Sequence, residues 1–74
     1  MIITILTEKT EYDIMTDSEN QIKDTLQILL EKGLLPKKAQ ECREVYSVRR
    51  KRMVSVESTY VKSGIYQGDI LKIG

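Results

Sequence analysis

Residues 17–33 read Asp17-Ser18-Glu19-Asn20-Gln21-Ile22-Lys23-Asp24-Thr25-Leu26-Gln27-Ile28-Leu29-Leu30-Glu31-Lys32-Gly33, and they decide how many layers the fold can have. Ile22, Leu26, Leu29 and Leu30 recur at helical spacing as one apolar stripe, with Lys23, Asp24, Gln27, Glu31 and Lys32 on the solvent side. Ser18 is placed to cap the start, Gln21 stands at the capping-box position, and Asp17 and Glu19 favour the positive end of the helix dipole. Gly33 supplies a left-handed end and Pro36 prevents continuation. The pattern predicts one helix of about 14 residues, about 21 Å long. A single apolar stripe covers one face of one sheet.

Working outward, the N-terminal flank alternates with a period of two. Met1, Ile3 and Ile5 share one face and Ile2, Thr4 and Leu6 the other, so Met1–Thr7 is predicted as a strand. After the polar turn Glu8-Lys9-Thr10, Tyr12 and Ile14 alternate with Glu11 and Asp13, which makes an opening hairpin through Thr16. On the C-terminal flank, Glu44–Arg49 alternates with Tyr46 and Val48 on one side, Tyr46 being assigned to the core, and Val45, Ser47 and Arg49 on the other. Arg50 and Lys51 form the expected turn into Arg52–Glu57, where Val54 and Val56 face one way and Met53 and Ser55 the other. Residues 57–68 read as an irregular connection plugged by Tyr60 and Ile65, and Asp69–Ile73 closes as a strand with Leu71 and Ile73 inward. The expected fold is α+β over a single domain, residues 1–74: a mixed sheet of 4–5 strands covered on one face by a single helix. A helix that follows a hairpin and crosses the sheet sets the last strand parallel to the first, which is the β-grasp arrangement.

Composition narrows the function classes. The chain has 74 residues, no His and the single cysteine Cys42. An internal disulfide, a CxxC pair and a cysteine-built zinc or iron-sulfur site therefore have no residues to form them. The commonest general base is also absent, and a domain this small has one thin core without a deep cleft, so a non-enzyme with no cofactor or metal is expected. Glu41 and Glu44 read as a solvated pair beside Arg43, and Cys42 as an inert thiol. Met1-Ile2-Ile3-Thr4 carries no basic leader and no apolar run approaches the roughly 20 residues of a membrane span, so the expected setting is cytoplasmic. Net charge is +1, but Met1–Leu35 holds three Lys against seven acids, Pro36–Arg52 seven bases against two acids, and Met53–Gly74 two against two. Separated lobes of charge suit oriented docking on a protein better than bulk binding to nucleic acid, and no DNA is expected.

With these elements in place, the chain resembles ubiquitin-like proteins over nearly its whole length. The resemblance rests on Met1-Ile2-Ile3-Thr4-Ile5, on Ser18, on Gly33 to Pro36, and most specifically on Gly64-Ile65-Tyr66-Gln67-Gly68-Asp69-Ile70-Leu71, similar to the family's GI-x-x-GD-x-L entry into the last strand. In that segment Gly64 and Gly68 permit two tight turns with positive φ, Ile65 anchors the loop, and Asp69 bonds nearby backbone. Covalent modifiers and sulfur carriers of this family end in a flexible Gly-Gly tail. This sequence closes at Lys72-Ile73-Gly74, so conjugation is the weaker expectation. Its length and the Gly68-Asp69-Ile70-Leu71-Lys72-Ile73 ending resemble most the YukD-like proteins of type VII secretion systems. That resemblance implies a small accessory or regulatory protein, a monomer or weak homo-oligomer, docking non-covalently on secretion-system membrane components.

Two surfaces are candidates for that docking. Leu6, Val45 and Ile70, with Ile2, are expected on the sheet face opposite the helix, rimmed by Arg49 and Lys72; scattered surface apolar residues are the competing account. Arg49-Arg50-Lys51-Arg52 is expected at a hairpin tip, either as a solvated turn that blunts the sheet edge or as an anion-recognising tip. For such a tip an acidic protein ranks before RNA or a phospholipid headgroup, because Tyr46 alone offers a stacking surface.

Overall fold

The structure is a computed structural model describing residues 1–73; Gly74, on which the expectation about conjugation turns, lies outside the described residues. The elements are β1 (Ile2–Leu6), β2 (Glu11–Met15), α1 (Ile22–Glu31), a 3₁₀ turn (Lys37–Glu41), β3 (Glu44–Ser47), β4 (Arg52–Ser55), α2 (Tyr60–Ser63) and β5 (Ile70–Lys72). The five strands form one mixed sheet in the order β2-β1-β5-β3-β4. β1 and β5 run parallel, with Thr4 opposite Ile70 and Leu6 opposite Lys72, and every other pairing is antiparallel. Helix α1 packs on one face, and no second helix of comparable length is present among the described residues. The α+β class, the mixed sheet and the parallel pairing of first and last strands match the sequence expectation.

Local chemistry sets the helix ends. The expected cap at Ser18 is overturned: the N-cap of α1 is Gln21, three residues later, with the Asp24 carboxylate accepting from the Gln21 N–H at 3.2 Å. Residues 17–20 are held out of the helix by long-range pairing. The Ser18 and Asn20 carbonyls accept from Val61 and Tyr60 N–H at 2.9 and 3.1 Å, and Gln21 bridges Thr59. A backbone group committed to the 59–61 segment cannot also serve a helical turn. At the other end the Leu34 N–H reaches the Leu29 carbonyl and the Gly33 N–H that of Leu30, a Schellman motif with Gly33 at φ 72°. The sequence expectation of a glycine-ended helix holds there.

The core lies between α1 and the sheet. Ile22, Leu26 and Leu29 pack with Ile3, Ile5, Val45, Val54, Leu71 and Ile73, and Tyr60 and Ile65 plug the end, as the sequence anticipated for those two. The 57–68 connection is more ordered than expected. Thr59 caps α2 by accepting from the Lys62 N–H, and Gly64 closes it in the left-handed region at φ 74°.

Tyr60 is fully buried and its hydroxyl donates to Thr25 Oγ1 on α1 at 2.5 Å, tying α2 to α1. Burial pushes the Tyr60 hydroxyl up from 10.0 to about 12; the Thr25 bond pulls it down and the Asp24 carboxylate pushes it up. A pKa raised by folding contributes stability that is complete below pH 10 and is lost as the pH climbs through about 12. Tyr60→Phe is expected to cost about 1 kcal/mol at neutral pH. It should also lose stability less steeply than the parent over that alkaline interval in urea melts; equally steep limbs would remove Tyr60 as the titrating group.

Candidate functional site on the uncovered sheet face

Strand registers place the side chains of the face away from α1 in rows. One row runs Glu11, Leu6, Lys72, Tyr46, Met53 across all five strands, and the next runs Asp13, Thr4, Ile70. Ile2 and Met15 extend the face at one end. Met15 is 79% exposed, Met53 52% and Ile2 41%, while Leu6, Tyr46 and Ile70 are half-buried by their neighbours alone. The face thus carries six apolar or aromatic side chains with no layer over them among the described residues, an acidic end on β2 and a lysine in the central strand.

Each residue anticipated from sequence has a definite place. Leu6 and Ile70 lie on this face, on adjacent strands. Lys72 does too, but at the centre between Leu6 and Tyr46 rather than on a rim. Val45 is a correction: it is 0% exposed, opposite Val54 in the core, and Tyr46, expected inside, takes the outer face instead. The cause is Ser47. Its hydroxyl donates to Asp69 Oδ2 at 2.7 Å in the buried interior, which forces Ser47 and therefore Val45 inward. Met53 and Met15 were not anticipated as members of the face. For Met53 the signal was present, since alternation already set it opposite Val54 and Val56.

The basic run is organised by the same carboxylate. Asp69 is 1% exposed; its Oδ1 accepts from the Arg49 and Ile70 N–H groups at 3.2 and 2.7 Å, and Ser47 Oγ accepts from the Arg50 N–H at 3.1 Å. The turn spans Val48 to Lys51, wider than the Arg50-Lys51 turn expected, and ends with Lys51 in the left-handed region at φ 56°. From this turn and the first residue of β4 three guanidinium groups fold back on the 63–68 segment. Arg52 Nη2 donates to the Ser63 carbonyl at 2.9 Å, and Arg50 lies over Gly64 with its Cζ 5.7 Å from the Tyr66 ring centroid. Arg49 lies against Gly68, where an added Cβ would come within 3.3 Å of its Nη2. A Cβ on Gly64 would meet Arg50 Nη2 at 3.0 Å, so the left-handed glycine also makes room for the arginine. Arg52 shares the inward parity of Val54, so it does not belong to the uncovered face. The run is an internal clasp as much as a tip.

Two grooves flank α1. One, of about 340 Å³, lies between α1 and β2; the other, of about 690 Å³, lies between α1 and the β3–β4 side and carries Lys23, Arg43, Glu44 and Glu57, charges of both signs. Cys42 lines the second groove, half-buried, its thiol donating to the Glu44 carbonyl at 2.9 Å. Among the described residues no group of three His, Cys, Asp or Glu side chains is disposed to hold a metal ion, and no helix is long and apolar enough to cross a membrane. No family model and no curated protein matches the chain.

The clasp yields a test of its own. Asp69→Ala removes the acceptor for Ser47, Arg49 and Ile70, and is expected to cost about 2–4 kcal/mol in urea denaturation. Amide exchange should rise first at Arg49 and Ile70. A cost below about 1 kcal/mol would mean that water replaces the carboxylate and that the turn is held by Arg50 and Arg52 instead.

Proposed function

We propose that this chain is a ubiquitin-like, β-grasp protein-binding module without catalytic activity. In this reading it is a cytoplasmic accessory of a bacterial type VII secretion system, similar to the YukD-like proteins, docking non-covalently on the system's membrane components. The parallel β1–β5 pairing, the single covering helix and the two positive-φ glycines around Ile65 and Asp69 support the fold name. The single observation that carries the binding reading is the row Leu6, Lys72, Tyr46, Met53, apolar side chains around one cation on a sheet face with no layer above it.

The row also selects the partner's chemistry. Burying Lys72 without a counter-charge is costly, so the docking surface must bring a carboxylate to the centre of an apolar patch. A second copy of the chain meets that need poorly. β5 is the middle strand of five, so a face-to-face dimer with its twofold axis along the strands sets Lys72 on Lys72. With the axis across the strands, Glu11 and Asp13 oppose their own copies. A different protein carrying an acidic residue among aliphatic ones fits. Lys51 at the exposed turn extends the positive side, while Arg49, Arg50 and Arg52 are partly spent on the clasp, which ranks an RNA or lipid tip below a protein face.

Leu6→Asp combined with Ile70→Asp should leave the circular dichroism spectrum intact and abolish binding to the purified cytosolic domains of the type VII membrane components. Lys72→Glu should weaken that binding by about tenfold or more, whereas Lys72→Arg should retain it. Undiminished binding by the double variant would move the interface off this face, and unchanged secretion after deletion of the gene would remove the secretion role.

A further inference from the structure

Three methionines and one cysteine hold the sulfur of this chain, and the fold divides them. Met1 is partly buried against the core, and the Cys42 thiol, half-buried, donates to the Glu44 carbonyl. Met15 and Met53 are open to water, at 79% and 52% exposure. Both lie on the uncovered face. Met15 stands opposite Ile2 at one end, and Met53 stands opposite Tyr46 in the row that also carries Leu6 and Lys72. The sulfur atoms most accessible to an oxidant are therefore on the surface assigned to docking.

Strand pairing sets Met53 beside Tyr46. The Val56 N–H donates to the Arg43 carbonyl at 3.0 Å, so residues 43 and 56 are a hydrogen-bonded pair of the β3–β4 ladder. Such pairs alternate, which leaves Tyr46 and Met53 as a non-hydrogen-bonded pair, the kind whose side chains stand closest. A thioether beside an aromatic ring is a soft apolar surface that adapts to a partner. β4 is also the last strand in the sheet order, so Met53 is approached from the side away from β3.

Oxidation reverses that character. The sulfur lone pair attacks an oxygen of hydrogen peroxide; an S–O bond forms, the O–O bond breaks, and after proton transfer the other oxygen leaves as water. The sulfur is oxidised by two electrons and the peroxide reduced by two, and the product is a polar sulfoxide with a strong acceptor oxygen. Covered by an aliphatic partner without a donor, that oxygen is costly to desolvate. Methionine sulfoxide reductases reverse the step: the oxygen leaves as water while a dithiol becomes a disulfide.

We infer that Met53 is an oxidation site through which a hydroperoxide reversibly turns docking off, with Met15 oxidised alongside it at the end of the face. The inference rests on the reading of this face as the docking surface and adds its regulation. Met53 is the effective residue because its row holds Lys72, whereas Met15 pairs with Ile2 beyond that row. Neither side chain belongs to the core, so the fold survives the change.

The test treats the whole chain with hydrogen peroxide and maps the added oxygen by peptide mass spectrometry. Affinity for the purified cytosolic domains of the type VII membrane components is measured before and after. In the native chain Met15 and Met53 should take up oxygen about tenfold faster than Met1, and in urea all three should react at similar rates. Affinity should fall about tenfold on oxidation with the circular dichroism spectrum unchanged, and return after methionine sulfoxide reductases and dithiothreitol. The quantity compared is the ratio of reduced to oxidised affinity within each variant. Met53→Leu should bring that ratio to about one, Met15→Leu should keep most of the loss, and Cys42→Ser should keep all of it. Equal rates at the three methionines of the native chain, affinity untouched by oxidation, or a loss that persists in Met53→Leu or vanishes in Cys42→Ser would each overturn the inference and leave the docking reading in place. A reduced chain that fails to bind would remove the docking reading and this inference together.

Discussion

One ten-residue helix serves a five-stranded sheet, and that shortage of cover organises the molecule. Ile22, Leu26 and Leu29 satisfy one face, and Leu71 and Ile73 close the core from the last strand. Among the described residues nothing lies over Ile2, Leu6, Tyr46, Met53 and Ile70 on the other side. The helix is also too narrow to cover the sheet from edge to edge, and this leaves a groove on each flank. Exposed apolar surface on a small domain weakens the hydrophobic driving force for folding, so the core must be completed by local devices elsewhere.

The device is the segment after β4. Tyr60 and Ile65 enter the core from it, Tyr60 bonds Thr25 of α1, and Asn20 and Ser18 carbonyls receive α2 backbone donors. Asp69 then fastens the exit of this segment to the β3–β4 turn through Ser47 and Arg49, and Arg50 and Arg52 close over it from outside. A buried carboxylate with three hydrogen-bond donors is costly to desolvate but confers direction. Only one register of β3 against β5 lets Ser47 reach it, so the Asp69 network also decides which side chains of β3 reach the uncovered face.

These long-range bonds mark the limit of what the sequence makes legible. The β1–β2 hairpin, the inward Leu71 and Ile73, the Gly33 helix end and the plugs Tyr60 and Ile65 follow from periodicity and turn chemistry acting within a few residues. β3 does not, because Val45 on one parity and Tyr46 with Val48 on the other balance each other. The choice is made by Ser47 and Asp69, 22 positions apart. The helix start fails for the same reason: Ser18 is a good cap locally, yet its carbonyl belongs to Val61. In the candidate site, Leu6 and Ile70 were legible, Lys72 was legible as basic but not as central, and the inward fold of the arginines depended on two glycines whose proximity only the tertiary structure supplies.

The strand order gives the uneven charge a direction. Residues 1–35, with seven acids against three lysines, hold the β2 end of the sheet, and residues 36–52, with seven bases against two acids, hold the β4 end. Charged side chains on edge strands ordinarily protect against indiscriminate sheet extension. At β2 those charges are the carboxylates of Glu11 and Asp13. At β4 the turn cations and the engagement of Arg52 with Ser63 restrict approach from the other side. Head-to-tail extension of the sheet would need the β4 edge to present free cations to β2. Folding the guanidinium groups onto residues 63–68 withdraws them from that role, so the clasp that holds this segment also disfavours such an extension.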